Sequence, residues 1–219
     1  YKFTCEDGKY QLNYQDVTKQ QVLDILEDIN NQYLVTEYIN MCDELKAVYD
    51  GAVNTVRMIV FKKDGKNPQI GNAYVRFGSK KTGAVDNVGA GGMTATIDVA
   101  TGHFHDAKIV MNNSIEDCPI HPDTGVPIDG YLPHWEQVKQ QVLDVTKSIK
   151  QLEFFGVDLA VTNDGIKFPE INRFPDYPAV EKYTKPTREY LLYKLAGKKH
   201  HYGYDVTPNR TLVHLPKRD

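Results

Sequence analysis

Apolar and polar residues alternate along most of the chain, and the alternation resolves into hairpins. Residues 54–62 (NTVRMIVFK) and 69–77 are apolar-rich runs separated by a turn-forming cluster at 64–68, which predicts two strands joined by a loop. Residues 93–99 and 104–110 flank Ala100, Thr101 and Gly102 and predict a second pair. Residues 154–162 and 166–171 flank Asn163, Asp164 and Gly165, a tight hairpin turn. Residues 9–14 (KYQLNY), following Gly8, and 33–39 (YLVTEYI) predict two further strands. Helical periodicity is clearest at 134–152, where Trp135, Val138, Val142, Val145, Ile149 and Leu152 recur every third or fourth residue. Thr18 caps a predicted helix reaching about Asn30, with Val22, Ile25, Leu26 and Ile29 on one face. Short helical turns are predicted over 41–49 and 190–195. Hairpins dominate, and strands do not alternate with helices, so the fold class is α+β with a mostly antiparallel sheet.

Two segments escape both periods. Residues 78–92 carry Gly78, Gly83, Gly89, Gly91 and Gly92 and read as a glycine-rich loop, with Lys80 and Lys81 on its solvated side. Residues 112–133 are proline-punctuated and irregular, and a loop of that length in a compact domain is often functional.

Composition narrows the function classes. The chain has 219 residues, 41% hydrophobic and 25% charged, enough to bury a core without staples. A formal net charge of −3 gives no footprint for nucleic acid. No apolar run reaches the length of a membrane span. Three cysteines without redox or metal spacing exclude a disulfide scaffold and make the cytoplasm the default compartment. His103 and His105 share one strand face and, like His200 and His201, read as solvated rather than metal-binding.

Chemistry concentrates in the last hairpin. Strand periodicity puts Glu170 and Asn172 on one face, and the Asn-Asp-Gly turn lets Asp158 lie on that face too. Two carboxylates and an amide oxygen, with no His or Cys, suit Mg²⁺ better than Zn²⁺. Buried together without a cation, the carboxylates would repel each other. A polar, solvated hairpin edge is the competing reading.

The segment GVDLAV…DG…PEINRFP resembles the metal-binding hairpin of the ATP-grasp superfamily. The resemblance implies that Asp158, Glu170 and Asn172 hold Mg²⁺ on ATP. It implies that Glu37, Tyr38 and Ile39 form a hinge strand that seats adenine, and that Arg57 faces the phosphates. It assigns Arg76, Asn87, Gly91 and Gly92 (YVRFG…DNVGAGG) to an element lying against the triphosphate and the reacting carboxyl. Thr55 stands where many relatives carry Asp. Within the superfamily, VNTVRM, DNVGAGGM…IDVATG and HPDTGVPIDGYLPHWEQV resemble the sugar-transfer-associated family, linked to polysaccharide and cell-envelope synthesis. His121 to Gly125 would form an ordered loop near the substrate, although for His121 itself a plain turn is the favoured reading.

The implied activity is ATP- and Mg²⁺-dependent ligation of a small-molecule carboxylate to an amine through an acyl phosphate, with Arg57, Arg76 and Asn87 catalytic. The alternative is a non-catalytic ATP-grasp-like binding module in an envelope-synthesis complex. Before Tyr33 there is no Lys-Pro followed by glycines, so the N-terminal subdomain and most of the Gly-rich lid are expected to be absent. The expected division is residues 1–38 as a remnant of the lid-bearing subdomain and hinge, 39–197 as the C-terminal ATP-grasp subdomain, and 198–219 as a polar tail.

Overall fold

The structure is a computed structural model that describes residues 2–13, 15–28, 36–62, 65–111 and 114–173, together with Pro175 and Thr187. The predicted helix over 190–195 and the tail lie outside the described residues.

Three short strands open the chain: β1 (Phe3–Glu6), β2 (Lys9–Leu12) and β3 (Gln15–Val17), which form an antiparallel sheet in that order. Of the three, only β2 is predicted from the sequence; β1, of equal length, and β3 are not. Helix α1 (Lys19–Asp28) follows. Thr18 Oγ1 accepts from the Gln21 backbone N–H at 3.2 Å, and Gln21 Oε1 accepts from the Thr18 N–H at 2.8 Å. This reciprocal capping box satisfies two backbone donors that a helix start leaves open.

The predicted strand over 33–39 is not one where it can be seen. Residues 36–40 have no strand pairing, and 33–35 lie outside the described residues. Residues 36–40 find no strand neighbour because the chain runs straight on into α2 (Asp43–Val48), whose preceding Cys42 N–H donates to Val161 O at 2.7 Å.

The main sheet has eight strands. They are β4 (Val56–Phe61), β5 (Gln69–Phe77), β6 (Met93–Ile97), β7 (His103–Met111), β8 (Ser114–Asp117), β9 (Gly130–Tyr131), β10 (Phe154–Thr162) and β11 (Gly165–Asn172). Their order is β11-β10-β4-β5-β6-β7-β8, with β9 also paired to β7, and every pairing is antiparallel. The irregular segment therefore contributes two strands, β8 and β9. β8 (SIED) is exposed throughout, so no apolar alternation announces it.

Helix α3 (Trp135–Lys147) ends before the periodic pattern does. Ile149 and Leu152 still pack on the core from outside the helix. The Ile149 carbonyl accepts from the buried Lys62 ammonium. Burial lowers the Lys62 pKa.

One face of the sheet is apolar. Val56, Met58, Val60, Val75, Phe77, Ala95, Val157 and Leu159 join Leu45 and Val48 of α2 and Trp135, Val138 and Val142 of α3 in a single cluster. Cys42 is fully buried in it, and desolvation pushes its thiol up to about 12. Thiol titration of the native protein should therefore label exposed Cys5 readily and reach Cys42 only on unfolding. Rapid labelling of Cys42 would contradict this packing.

Register shifts interrupt three of the pairings, β4–β5, β6–β7 and β10–β11. In β11 the register passes from Asp158↔Glu170 to Ala160↔Lys167, one residue more on β11 than on β10. Ile166 and Phe168 thus pack on the core while Glu170, of the same parity, turns to the opposite face. Pro169 lies in this bulge on an edge strand, where its missing N–H disrupts no interior ladder.

Candidate functional site

The second face of the sheet is polar, and cross-strand register lines up its residues. Glu170 lies opposite Asp158, Asp158 opposite Arg57, Arg57 opposite Tyr74, and Tyr74 opposite Thr96. Asn172 lies opposite Gly156, one pleat along. The spacing read from the sequence therefore brings Asp158, Glu170 and Asn172 together.

Asp158 is 2% exposed and anchors two arginines. Arg57 Nε donates to Oδ1 at 2.5 Å and an Arg57 terminal nitrogen to Oδ2 at 2.6 Å, a bidentate fork. Arg76 donates to Oδ2 at 2.9 Å. Burial works against the Arg57 charge, but the hydrogen bonds and charge of Asp158 outweigh it and raise its pKa. Tyr74 is fully buried and hydrogen-bonds Arg57, and desolvation pushes its phenol up to about 12. With the Asn172 amide oriented to satisfy its neighbours, its oxygen accepts from Arg57 at 2.9 Å and its nitrogen donates to Glu170 Oε1 at 2.9 Å.

Asp86 completes the network, and sequence reading missed it. Its Oδ2 accepts from the Thr55 N–H at 2.8 Å and from the Thr55 hydroxyl, and it forms an ion pair with Arg76, Nε lying 3.3 Å away. Arg76 also donates to Thr55 Oγ1. A carboxylate from the glycine-rich loop thereby holds Thr55 and Arg76 together. The available signal was that Asp86 is the lone carboxylate among residues 78–92.

The glycine-rich loop is braced from several sides. The Gly78 N–H donates to Asn54 Oδ1 at 3.1 Å, and Asn54 Nδ2 donates to Tyr49 O at the end of α2. His121 is fully buried, stacks on Tyr49 with centroids 4.6 Å apart, and has Nε2 2.9 Å from Gly78 O. The Lys80 N–H donates to Asp123 Oδ2 at 2.7 Å. His121 is thus a buried structural brace and not part of a plain turn as expected, and residues 121–125 lie against the glycine-rich loop. His121→Ala should cost about 2–3 kcal/mol, from an unsatisfied carbonyl and a lost ring contact, read by chemical denaturation. A loss below about 0.5 kcal/mol, the scatter of surface substitutions, would remove the brace.

Asn87 is exposed and shapes its own turn. Its side chain accepts from the Gly89 N–H at 3.0 Å, and its carbonyl accepts from Ala90 and Gly92. Gly91 has φ +104°, a conformation that favours glycine. Gly92 is buried, and Lys80 and Lys81 are exposed. Glu37 and Tyr38 are exposed and Ile39 half-buried on a segment without strand pairing, with the Lys2 ammonium 4.2 Å from the Tyr38 ring centroid.

The arginines leave part of the donor capacity of this set unused. A carboxylate offers about four lone-pair sites, and the three arginine bonds leave one on Asp158 Oδ1. Glu170 is exposed, and its Oε1 takes a bond from Asn172. Mg²⁺ needs only one or two carboxylates beside waters and phosphate oxygens, so the set fits it in monodentate form. Among the described residues no group of three His, Cys, Asp or Glu side chains is placed to hold a metal.

An antiparallel sheet with few helices, one apolar face and a charged opposite face is consistent with part of an ATP-grasp fold. A family model described as sugar-transfer associated ATP-grasp matches residues 13–179, and the chain belongs to that family. No curated protein and no solved structure matches the chain. Among the described residues no helix is long and apolar enough to cross a membrane.

Proposed function

We propose that the chain carries the phosphate-handling half of an ATP-dependent carboxylate–amine ligase. The observation that supports this most is the register row Glu170–Asp158–Arg57, with Arg76 joined to it through Asp158. Two guanidinium groups are pre-positioned beside a hard-oxygen donor set. Phosphoryl transfer asks for this kind of positioning and charge stabilisation.

In this reading a substrate carboxylate oxygen attacks the γ-phosphorus of ATP. The bond to the β–γ bridging oxygen breaks, leaving ADP and an acyl phosphate. An amine then adds to the acyl carbon, inorganic phosphate departs, and the amine loses a proton to give an amide. Asp158, Glu170 and Asn172 would hold Mg²⁺, which supplies charge neutralisation on the phosphate oxygens. Arg57 and Arg76 stabilise the transferred charge, and Asp158 fixes their orientation. Asn87 and the backbone of Gly91 and Gly92 shape the loop against the acyl group. Glu37, Tyr38 and Ile39 seat adenine. Residues 1–38 belong with the lid-bearing part, 39–197 with the catalytic part, and 198–219 form a tail. A need for ATP and three free cysteines suit the cytoplasm, and the amide product serves polysaccharide or envelope synthesis.

A second reading rests on one observation. Three of the four lone pairs of Asp158 are engaged by arginine, as in a purely structural ion network. On that reading the chain is a non-catalytic ATP-grasp-like module that binds an envelope-synthesis complex. Thermal unfolding with ADP, with and without Mg²⁺, separates the two. A nucleotide at about 100 times its dissociation constant stabilises by roughly 2.7 kcal/mol, or about 5–10 °C for a chain this size. A shift that requires Mg²⁺ is the expected result; its absence at millimolar nucleotide favours the module.

A further inference from the structure

The polar face continues past the arginines. Thr96 of β6 lies opposite His105 of β7, so the row Asp158–Arg57–Tyr74–Thr96–His105 crosses five strands. At about 4.8 Å per strand, His105 stands roughly 14 Å from Arg57. There three rings stack. His105 and His103 have centroids 4.9 Å apart and planes 29° from parallel. His103 and Tyr131 are 4.6 Å apart at 20°. Tyr131 lies on β9, opposite His103, and is 61% exposed.

A bulge sets this ladder up. Asp106 has φ +52° in mid-strand, and the β6–β7 register shifts between Thr94 and Thr96. Asp106 is the extra residue, so Phe104 and Ala107 both reach the core while His103 and His105 stay on the site face. The left-handed conformation of a non-glycine residue is strained, and the surrounding pairing holds it in place. Carboxylates border the rings: Asp106 pairs with His105 Nδ1 at 3.0 Å, and Asp129 with His103 Nε2 at 3.1 Å. Both are largely exposed.

We infer that the His105–His103–Tyr131 ladder is a stacking subsite for a neutral sugar ring. The ladder goes beyond the nucleotide reading and does not depend on it. Rings held parallel leave a flat terminal face on Tyr131, which matches the flat C–H face of a pyranose. They do not form the multi-walled cage that a quaternary ammonium group uses. Exposed carboxylates accept hydroxyl hydrogen bonds, and bonds to a charged acceptor are the stronger kind. The same carboxylates repel phosphate, so a nucleotide stacking its base here is disfavoured. The distance to the arginines lets one elongated ligand place a sugar on the ladder and a reacting group at Arg57 and Arg76.

The test is an NMR titration of the full chain, following the ring signals of His103, His105 and Tyr131. Cellobiose is the neutral-sugar probe, with choline and AMP as the cation and base probes. Cellobiose should move all three rings in a saturable way. Tyr131→Ala should weaken it about tenfold, and Tyr131→Phe, which keeps the ring, should stay within about threefold. No response to cellobiose overturns the inference, and so does a stronger response of these rings to choline or AMP. Unchanged cellobiose binding in Tyr131→Ala overturns it as well. A parallel titration with Mg²⁺ and ADP, followed at the Arg57 and Arg76 guanidinium signals, reads the nucleotide site separately. Failure of one reading is therefore distinguishable from failure of the other.

Discussion

Asp158→Ala is expected to lower the melting temperature by about 10 °C and to abolish any Mg²⁺-dependent stabilisation by ADP. The first effect follows from burial. The substitution leaves Arg57 and Arg76 without the carboxylate that takes three of their hydrogen bonds. Removing one partner of a buried ion network typically costs about 3–5 kcal/mol, because the remaining charge is stranded. For a chain of this length each kcal/mol is worth about 2–4 °C. The second effect follows from the donor set, which loses the remaining lone pair on Oδ1. Asp158→Asn separates the two effects, since an amide oxygen still accepts from Arg57 but offers a cation much less. It should keep more of the melting temperature than Asp158→Ala and still lose the Mg²⁺-dependent shift. Scanning calorimetry with and without Mg²⁺ and ADP checks both. A nucleotide shift that survives in both variants would remove Asp158 from the metal set.

Gly92→Ala is the second large effect. A Cβ at Gly92 would stand 2.8 Å from Phe77 O and 2.9 Å from Asn87 O. Both are backbone atoms and cannot swing away, so the loop itself must move. Overpacking of this kind costs about 1–3 kcal/mol. It also breaks the turn that the Gly92 N–H closes on Asn87 O at 3.0 Å. Gly89→Ala is the matched control: its Cβ would meet only the Asn87 side-chain oxygen, at 3.4 Å. Expected for Gly89→Ala is a change within about 0.5 kcal/mol and an intact nucleotide response. Equal stability losses in the two variants, measured by urea unfolding, would show that the loop tolerates displacement and is not the rigid cradle described.

What could be read from the sequence was what residue periodicity controls. The hairpin of β10 and β11 and the convergence of Asp158, Glu170 and Asn172 follow from alternation and a recognisable turn. Periodicity reports burial, though, and not the backbone that achieves it. Ile149 and Leu152 keep the helical spacing and reach the core, yet α3 has already ended at Lys147. The converse holds for β8, which is paired but wholly exposed. Residues 36–39 look like a strand by composition, but a strand also needs a neighbour, and they have none. Asp86 stood out only as the lone carboxylate of its loop, and its role was not legible because its partners, Thr55 and Arg76, meet it only through the fold. Parity alone would also have misplaced Glu170 relative to Phe168 without the bulge between them.

The bulge at Pro169 has a consequence for how copies of the chain meet. Among the described residues, the sheet ends at β11 on one side and β8 on the other. An open sheet edge is a template onto which another chain can zip. On β11 the template is interrupted by a residue with no amide hydrogen and by an irregular register. On β8 the outer residues include Glu116 and Asp117, so a second copy arriving in register would bring like charges together. Sheet-to-sheet polymerisation is therefore opposed at both ends, by geometry at one and by charge at the other.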